Sequence, residues 1–285
     1  MMKTISGAPL SLRIARQMSR SHIRGAGFLT RALQRFGMLN MIAQYQVGNV
    51  EFCVPLARIP WDLLDLKSYE SKLLEVFCQA ISPLEQVTLV DCGADIGTFS
   101  SMVLSRTDRI GRIIAFEPNV DTHEVLNSNL SKLSIPFDLS SKAVGSFDGR
   151  GRLERPDYNS TDHARFIVPG EGPLEITTID SMNIRGGDVA IKLDLEGGEL
   201  EALKGAGQTI AAARNCVVTV EAHPQVAERI GQDPVETLKY LDSVRKFHFL
   251  VAETRRPVLT SSPLLRSGQT EIWNVVGWTY DNELA

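Results

Sequence analysis

Four short and almost uninterrupted apolar runs constrain this chain most: Val87-Thr88-Leu89-Val90, Arg112-Ile113-Ile114-Ala115-Phe116, Val189-Ala190-Ile191-Lys192-Leu193 and Val217-Val218-Thr219-Val220. A strand that is apolar at every position must be covered on both faces, which is the condition of a parallel sheet between helical layers. The intervening segments supply those helices, with helical spacing over about 96–104 and 120–133 and again over 199–205, and a further strand is expected near 137–144. Repeated βα units of this kind give a doubly wound α/β fold.

The flanks differ in kind. Residues 47–54 alternate like a short strand, and Leu66, Tyr69, Leu73, Val76, Phe77 and Ala80 fall at helical spacing, so a helix over 62–81 leads into the main unit. Asp233, Pro234 and Glu236 give an N-cap, a first-turn proline and a capping-box acid for a helix to about Lys246. Residues 247–253 and 271–278 then read as a terminal antiparallel pair, while 146–175, rich in glycine and proline, reads as an inserted hairpin and loop. The expected division is a basic arm with a short strand over 1–60, then a catalytic unit over 61–285.

Charge separates these regions further. Residues 1–50 hold seven basic residues, Lys3, Arg13, Arg16, Arg20, Arg24, Arg31 and Arg35, and no acid, whereas the remaining 235 residues carry 23 basic against 34 acidic residues, a net −11. Within the arm, Leu10, Ile14, Met18, Phe28, Leu29, Leu33 and Phe36 recur at steps that suggest two amphipathic helices broken near Gly25 and Gly27. Such an arm suits an anionic membrane surface, an acidic partner or an organelle presequence, or it packs on its own acidic body or builds a homodimer contact. Seven basic residues are a poor nucleic-acid footprint. No run approaches the ~18 apolar residues of a membrane helix and no secretory signal is present, so a cytoplasmic protein with peripheral membrane contact as an alternative is expected. Cys53, Cys78, Cys92 and Cys216 form no C-x-x-C pair and read as buried free thiols.

The chemistry begins where the first core strand ends. Asp91, Gly93, Ala94, Asp95, Gly97 and Thr98 form an acid, a tight turn and a helix start. A dinucleotide fingerprint would carry a second glycine where Asp95 stands, and an acid there repels a pyrophosphate while suiting a cationic cofactor tail such as that of S-adenosylmethionine. Glu117, followed by Pro118 and Asn119, ends the next strand 24 residues after Gly93, close to the offset at which a carboxylate meets a ribose. Ala143 and Val144, ending the third strand, complete the expected cofactor set with Asp194. Period two places Lys192, Asp194 and Glu196 on one side of the next strand end, and Glu221 and His223 repeat the pattern on its neighbour. Charges so buried pair with each other, bind a cation or do chemistry. The bland alternative is a Lys192–Asp194 ion pair with Glu196 capping the following helix. His22, His123, His163 and His248 join no such cluster.

These residues also carry a resemblance. From about Pro83 to His223, the segments LVDCGADIGTFS, IIAFEPN, ITTIDSM with IKLDLEGGELEALKGA, and VVTVEAH resemble, in that order, the FkbM family of S-adenosylmethionine-dependent methyltransferases. The resemblance implies a class I methyltransferase fold with a mostly parallel seven-stranded sheet and an antiparallel C-terminal strand, here preceded by a helical arm. It also implies O-methylation of a sugar, glycoconjugate or natural-product hydroxyl. Asp95 stands where the family usually has Asn, and Gly198 where Ala is common.

For transfer to a protonated hydroxyl, His223 is the candidate base with Glu221 to orient it, since an unperturbed imidazole titrates near neutrality. Asp194, Glu196 and Glu221 are the alternative set for Mg2+. A nucleotide-dependent oxidoreductase and a non-catalytic interaction protein remain as readings from other classes.

Overall fold

The structure, a computed structural model, describes residues 4–21, 26–58, 69–154 and 166–281. Lys3, His22, Arg24 and His163, together with 62–68 of the expected helix and the tip of the expected insertion, lie outside the described residues, as do the side chains of Arg16 and Arg20.

The chain opens with β1 (Thr4–Ser6), α1 (Leu10–Arg20), α2 (Ala26–Arg35), β2 (Ile42–Val47) and β3 (Val50–Pro55). The single strand expected over 47–54 is therefore half of a hairpin, with Gly48 at φ +57 in its turn, and β1 adds to β2 in parallel to make a three-stranded sheet. This sheet is fastened to the body by Asn129, which is fully buried. Its side-chain oxygen accepts from Cys53 N–H at 2.8 Å, and its amide donates to the carbonyls of Cys53 and Ile96, each at 2.8 Å. Three bonds from one buried amide satisfy backbone groups that would otherwise lie unpaired between the two units.

The body begins with α3 (Ser71–Ile81) and continues through β4 (Val87–Cys92), α4 (Thr98–Leu104), β5 (Ile110–Phe116), α5 (His123–Leu130) and β6 (Phe137–Ser140). The strand expected over 137–144 divides here: β7 (Ala143–Val144) leaves the main sheet and pairs with β10 (Leu174–Thr177), beside the hairpin of β8 (Gly149–Glu154) and β9 (Phe166–Pro169). The insertion is thus a four-stranded sheet in the order β7-β10-β8-β9 rather than a hairpin and loop.

Then follow β11 (Asp188–Leu193), α6 (Glu199–Lys204), α7 (Gly207–Ala212), β12 (Asn215–Ala222), α8 (Pro224–Ile230), α9 (Val235–Val244), β13 (His248–Val251), β14 (Arg256–Pro257) and β15 (Trp273–Trp278). The main sheet runs β14-β13-β15-β12-β11-β4-β5-β6, with β15 antiparallel to both β12 and β13. It has eight strands rather than the seven expected, because the two residues of β14 pair onto the edge. Alternate residues along each strand feed two cores. Leu89, Ala190, Val217 and Val276 face α3, α4, α5 and the arm, while Val90, Ile191, Val218 and Val275 face α6, α7 and α9. Asp91 and Lys192, opposite each other in register, share the side of the first core.

Candidate active site

Backbone geometry at the end of β4 is demanding. Gly93 and Gly97 have φ of +77 and +82, and Asp95 between them sits at +49, a region that a short polar side chain tolerates better than most. The N–H groups of Gly93 and Ala94 both donate to the Phe116 carbonyl, at 2.9 and 3.0 Å, so the turn hangs from the end of β5. A Cβ on Gly93 would lie 2.1 Å from the Asp194 carbonyl oxygen, so the ends of β4 and β11 touch only because the side chain is missing. Ala94 and Thr98 are buried beneath this turn.

Glu117 joins two loops. One of its oxygens accepts from Asp95 N–H at 2.8 Å and the other from Asn119 N–H at 2.7 Å. Burial, reinforced by the charge of Asp95, pushes this carboxyl up to about 7 although both amide bonds favour the anion. Pro118 bridges Glu117 to Asn119, whose side chain accepts from Asp121 N–H at 3.3 Å. Ala143 and Val144 are buried in the smaller sheet, pairing with Ile176 and Thr177.

Lys192 stands at the centre of the acids. Its ammonium donates to the Gly93 carbonyl at 2.9 Å and to Asp194 Oδ2 at 3.2 Å, and it lies 3.6 Å from Asp91 Oδ1 and over the Phe99 ring. Burial works against its charge, but Asp194, Asp91 and Glu70 outweigh it and hold the ammonium above the ordinary lysine range. Asp91 Oδ2 accepts from Ser100 Oγ at 2.6 Å, while Oδ1 is buried with no hydrogen-bond partner. The Lys192–Asp194 ion pair weighed against a catalytic role is therefore present. The expected capping acid, however, is Glu199 rather than Glu196, for Glu199 Oε1 accepts from Leu195 and Gly197 N–H at 3.0 and 3.3 Å.

Glu196 occupies a left-handed turn (φ +54), and its carbonyl accepts from Arg229. Burial, and then the charge of Asp194, push its carboxyl up to about 7. Glu221 is raised well above the carboxylate range by burial and by Asp194, Glu196, Glu199 and Glu70. His223 follows β12 directly and precedes α8, with Glu221, Glu199 and Gly197 along the same narrow pocket. Burial and the nearby Arg229 lower its pKa, and its Nδ1 is buried without a hydrogen-bond partner. Glu221 makes no hydrogen bond to it among the described residues, so the expected orienting contact is not formed. Asp194, Glu196 and Glu221 lie within one another's fields but not as a ligand set: among the described residues no three acidic, histidine or cysteine side chains are arranged to hold a metal ion.

Sequence reasoning missed four neighbours. Helical spacing puts Tyr69 on the apolar face of a helix, yet α3 begins only at Ser71, and burial first, then the charges of Glu70, Asp194, Asp91 and Asp95, raise the Tyr69 hydroxyl well above its usual value. Glu70, in a left-handed conformation (φ +39), acts on Lys192 and Glu221. Arg229, from α8, stacks on Phe166 of β9 at 4.7 Å. Helical spacing marked Tyr69 as core, and nothing local in the sequence marks the other three.

An acidic cradle around one lysine, with a buried carboxylate oxygen that accepts no hydrogen bond and a close approach that Gly93 allows, fits a cationic nucleoside cofactor and repels a pyrophosphate. The parallel strands β6, β5, β4, β11 and β12, with β15 reversed beside them, make a Rossmann-like sheet whose strand ends carry this cradle. The chain belongs to the FkbM methyltransferase domain family, which it matches over residues 91–250, and it is an S-adenosylmethionine-dependent methyltransferase. It is similar to the hexuronic acid methyltransferase AglP of Haloferax volcanii, 25% identical over 210 residues that cover 72% of this chain and 81% of that protein. Among solved structures it is similar to methyltransferase FkbM from Methylobacillus flagellatus, at 13% identity, coverage of 90% of this chain and 71% of that one, and a TM-score of 0.41. The M. jannaschii TYW2 complex with AdoMet gives 14% identity, coverage of 83% and 84%, and a TM-score of 0.41.

Proposed function

We propose that this chain transfers a methyl group from S-adenosylmethionine to an oxygen of a sugar or sugar-acid acceptor. The observation that carries this reading is His223, an imidazole at the end of β12 in one pocket with Glu221 and Glu199, with Nδ1 buried without a hydrogen-bond partner and a pKa lowered by burial and Arg229. A hydroxyl must lose its proton as it attacks, and a neutral imidazole is the group able to take it. The relative named for hexuronic acid supports a sugar-type acceptor.

When bound, the cofactor supplies an electrophilic methyl on a sulfonium. Glu117 and the Asp95–Gly97 turn hold its nucleoside. Asp194, tethered by Lys192, faces its cationic tail, and His223 accepts the acceptor proton through Nε2. Positioning supplies much of the rate. Mg2+ has no step in this scheme, and turnover is expected to survive EDTA.

The test is methyl transfer to a panel of sugars and uronic acids. His223→Ala is expected to lower kcat by about 10²- to 10⁴-fold, the range of a general base, with an unchanged melting temperature. Asp194→Asn should act chiefly on cofactor affinity. Equal turnover by His223→Ala would refute the proton-transfer role, and a product methylated on nitrogen or carbon would refute the acceptor class.

A further inference from the structure

The arm has two unlike faces. On the inner side Leu12, Ala15 and Leu33 are buried in the core that also holds Phe52, Phe99 and Leu126. On the outer side Leu10 is 72% exposed, Ile14 46%, Phe28 72% and Phe36 83%. Arg13 is exposed between Leu10 and Ile14 on α1, and Arg31 and Arg35 are exposed at successive turns after Phe28 on α2. The other large apolar side chains exposed among the described residues, such as Val120, Phe147 and Leu259, are scattered through the body.

We propose that this outer face docks on an anionic lipid surface. Isolated exposed apolar residues need no explanation, but four within 27 residues, interleaved with arginines and with no acid in residues 1–50, give the arm an exposed side of two chemistries. A bilayer interface meets both. Phenylalanine and leucine enter the acyl boundary while arginine stems snorkel toward lipid phosphates. An acidic protein would satisfy the arginines and leave the projecting rings in water. A second copy placed arm against arm would bring the exposed Arg13, Arg31 and Arg35 of each chain together. No described helix is long and apolar enough to cross a membrane, so the contact is peripheral.

Lipid docking is independent of the acceptor assignment, since it concerns residues remote in sequence from the cofactor turn. The full-length protein is sedimented with phosphatidylcholine vesicles, with and without about 30 mol % phosphatidylglycerol. Binding is expected only to the anionic vesicles, and roughly tenfold weaker as salt rises from ~0.1 M to ~1 M and the Debye length falls from ~10 to ~3 Å. Phe28→Ser/Phe36→Ser and Arg13→Glu/Arg31→Glu/Arg35→Glu should each abolish sedimentation while keeping wild-type affinity for S-adenosylmethionine, and Phe28→Trp should shift its emission to the blue on anionic vesicles. Equal binding to neutral vesicles, no binding to either, or variants that bind like the wild type would overturn the proposal. So would light scattering that shows a dimer broken by Phe28→Ser/Phe36→Ser, which would make a second copy the occupant.

Discussion

Among the described residues, Lys192 is the ammonium on which Asp91, Asp194 and Glu70 act, and its position explains how acids from β4, from the end of β11 and from the start of α3 can lie near one another. Removing it leaves Asp91 buried and unpaired, so Lys192→Met should cost about 3–5 kcal/mol of stability, read by urea denaturation. A purely chemical role would instead lower turnover and leave the midpoint alone. Glu117 makes a different prediction. Its carboxyl, like that of Glu196, titrates near 7 in the folded protein against an ordinary value of 4.5. The folded state therefore holds protons that the unfolded chain has released. This contribution to stability is complete below the unfolded value and is lost as pH rises through 7. The cofactor-free protein should melt lower at pH 8 than at pH 6, with a smaller difference in Glu117→Gln. The same substitution should weaken cofactor binding by about 1–3 kcal/mol at pH 8, where the carboxylate is ionised, and by less at pH 6. Titration calorimetry at the two pH values checks both the sign and the assignment.

At the level of elements, the β4–α4 turn and the end of β11 are built as one object. Gly93 needs a positive φ and also allows Asp194 to approach, so Gly93→Ala is strained twice over. It should abolish measurable cofactor binding, and its effect should exceed that of Gly231→Ala, where φ is +67 but nothing lies within 4 Å. Comparable affinities in the two variants would mean that the contact with Asp194 is not what shapes the cradle. Asp95 and Glu196, just beyond the adjacent ends of β4 and β11, both take left-handed conformations, so each strand is followed by a sharp change of direction at a charged residue.

Across the whole molecule, the arm and the body share a core. β3 packs on α4 and α5, and Asn129 ties Cys53 to Ile96, which adjoins the cofactor turn. Deleting residues 1–57 should therefore bare the apolar faces of α4 and α5 and give protein that elutes as aggregate in size-exclusion chromatography. A monodisperse truncated protein that still binds S-adenosylmethionine would show instead that the arm is only an attachment. Lys132, 2.6 Å from Glu51 and 2.8 Å from Cys53, is a second fastening along the same seam.

The alternating pattern of apolar runs determined the sheet and its helical layers because burial on both faces leaves few other arrangements for such strands. It also determined the cofactor turn, since acid, glycine and spacing act within a few residues of one another. The FkbM motifs were legible for the same reason. Tertiary structure alone decided what the charges do. Whether Lys192 serves Asp194 or Asp91 depends on the register of β11 against β4, and whether Glu221 reaches His223 depends on where α8 begins. It also decided that Tyr69, Glu70 and Arg229 join the site, that residues 143–144 leave one sheet for another, and that the arm has an inner and an outer face. Each of these is a contact between residues far apart in the chain, and local periodicity holds no information about which distant group will satisfy a buried charge.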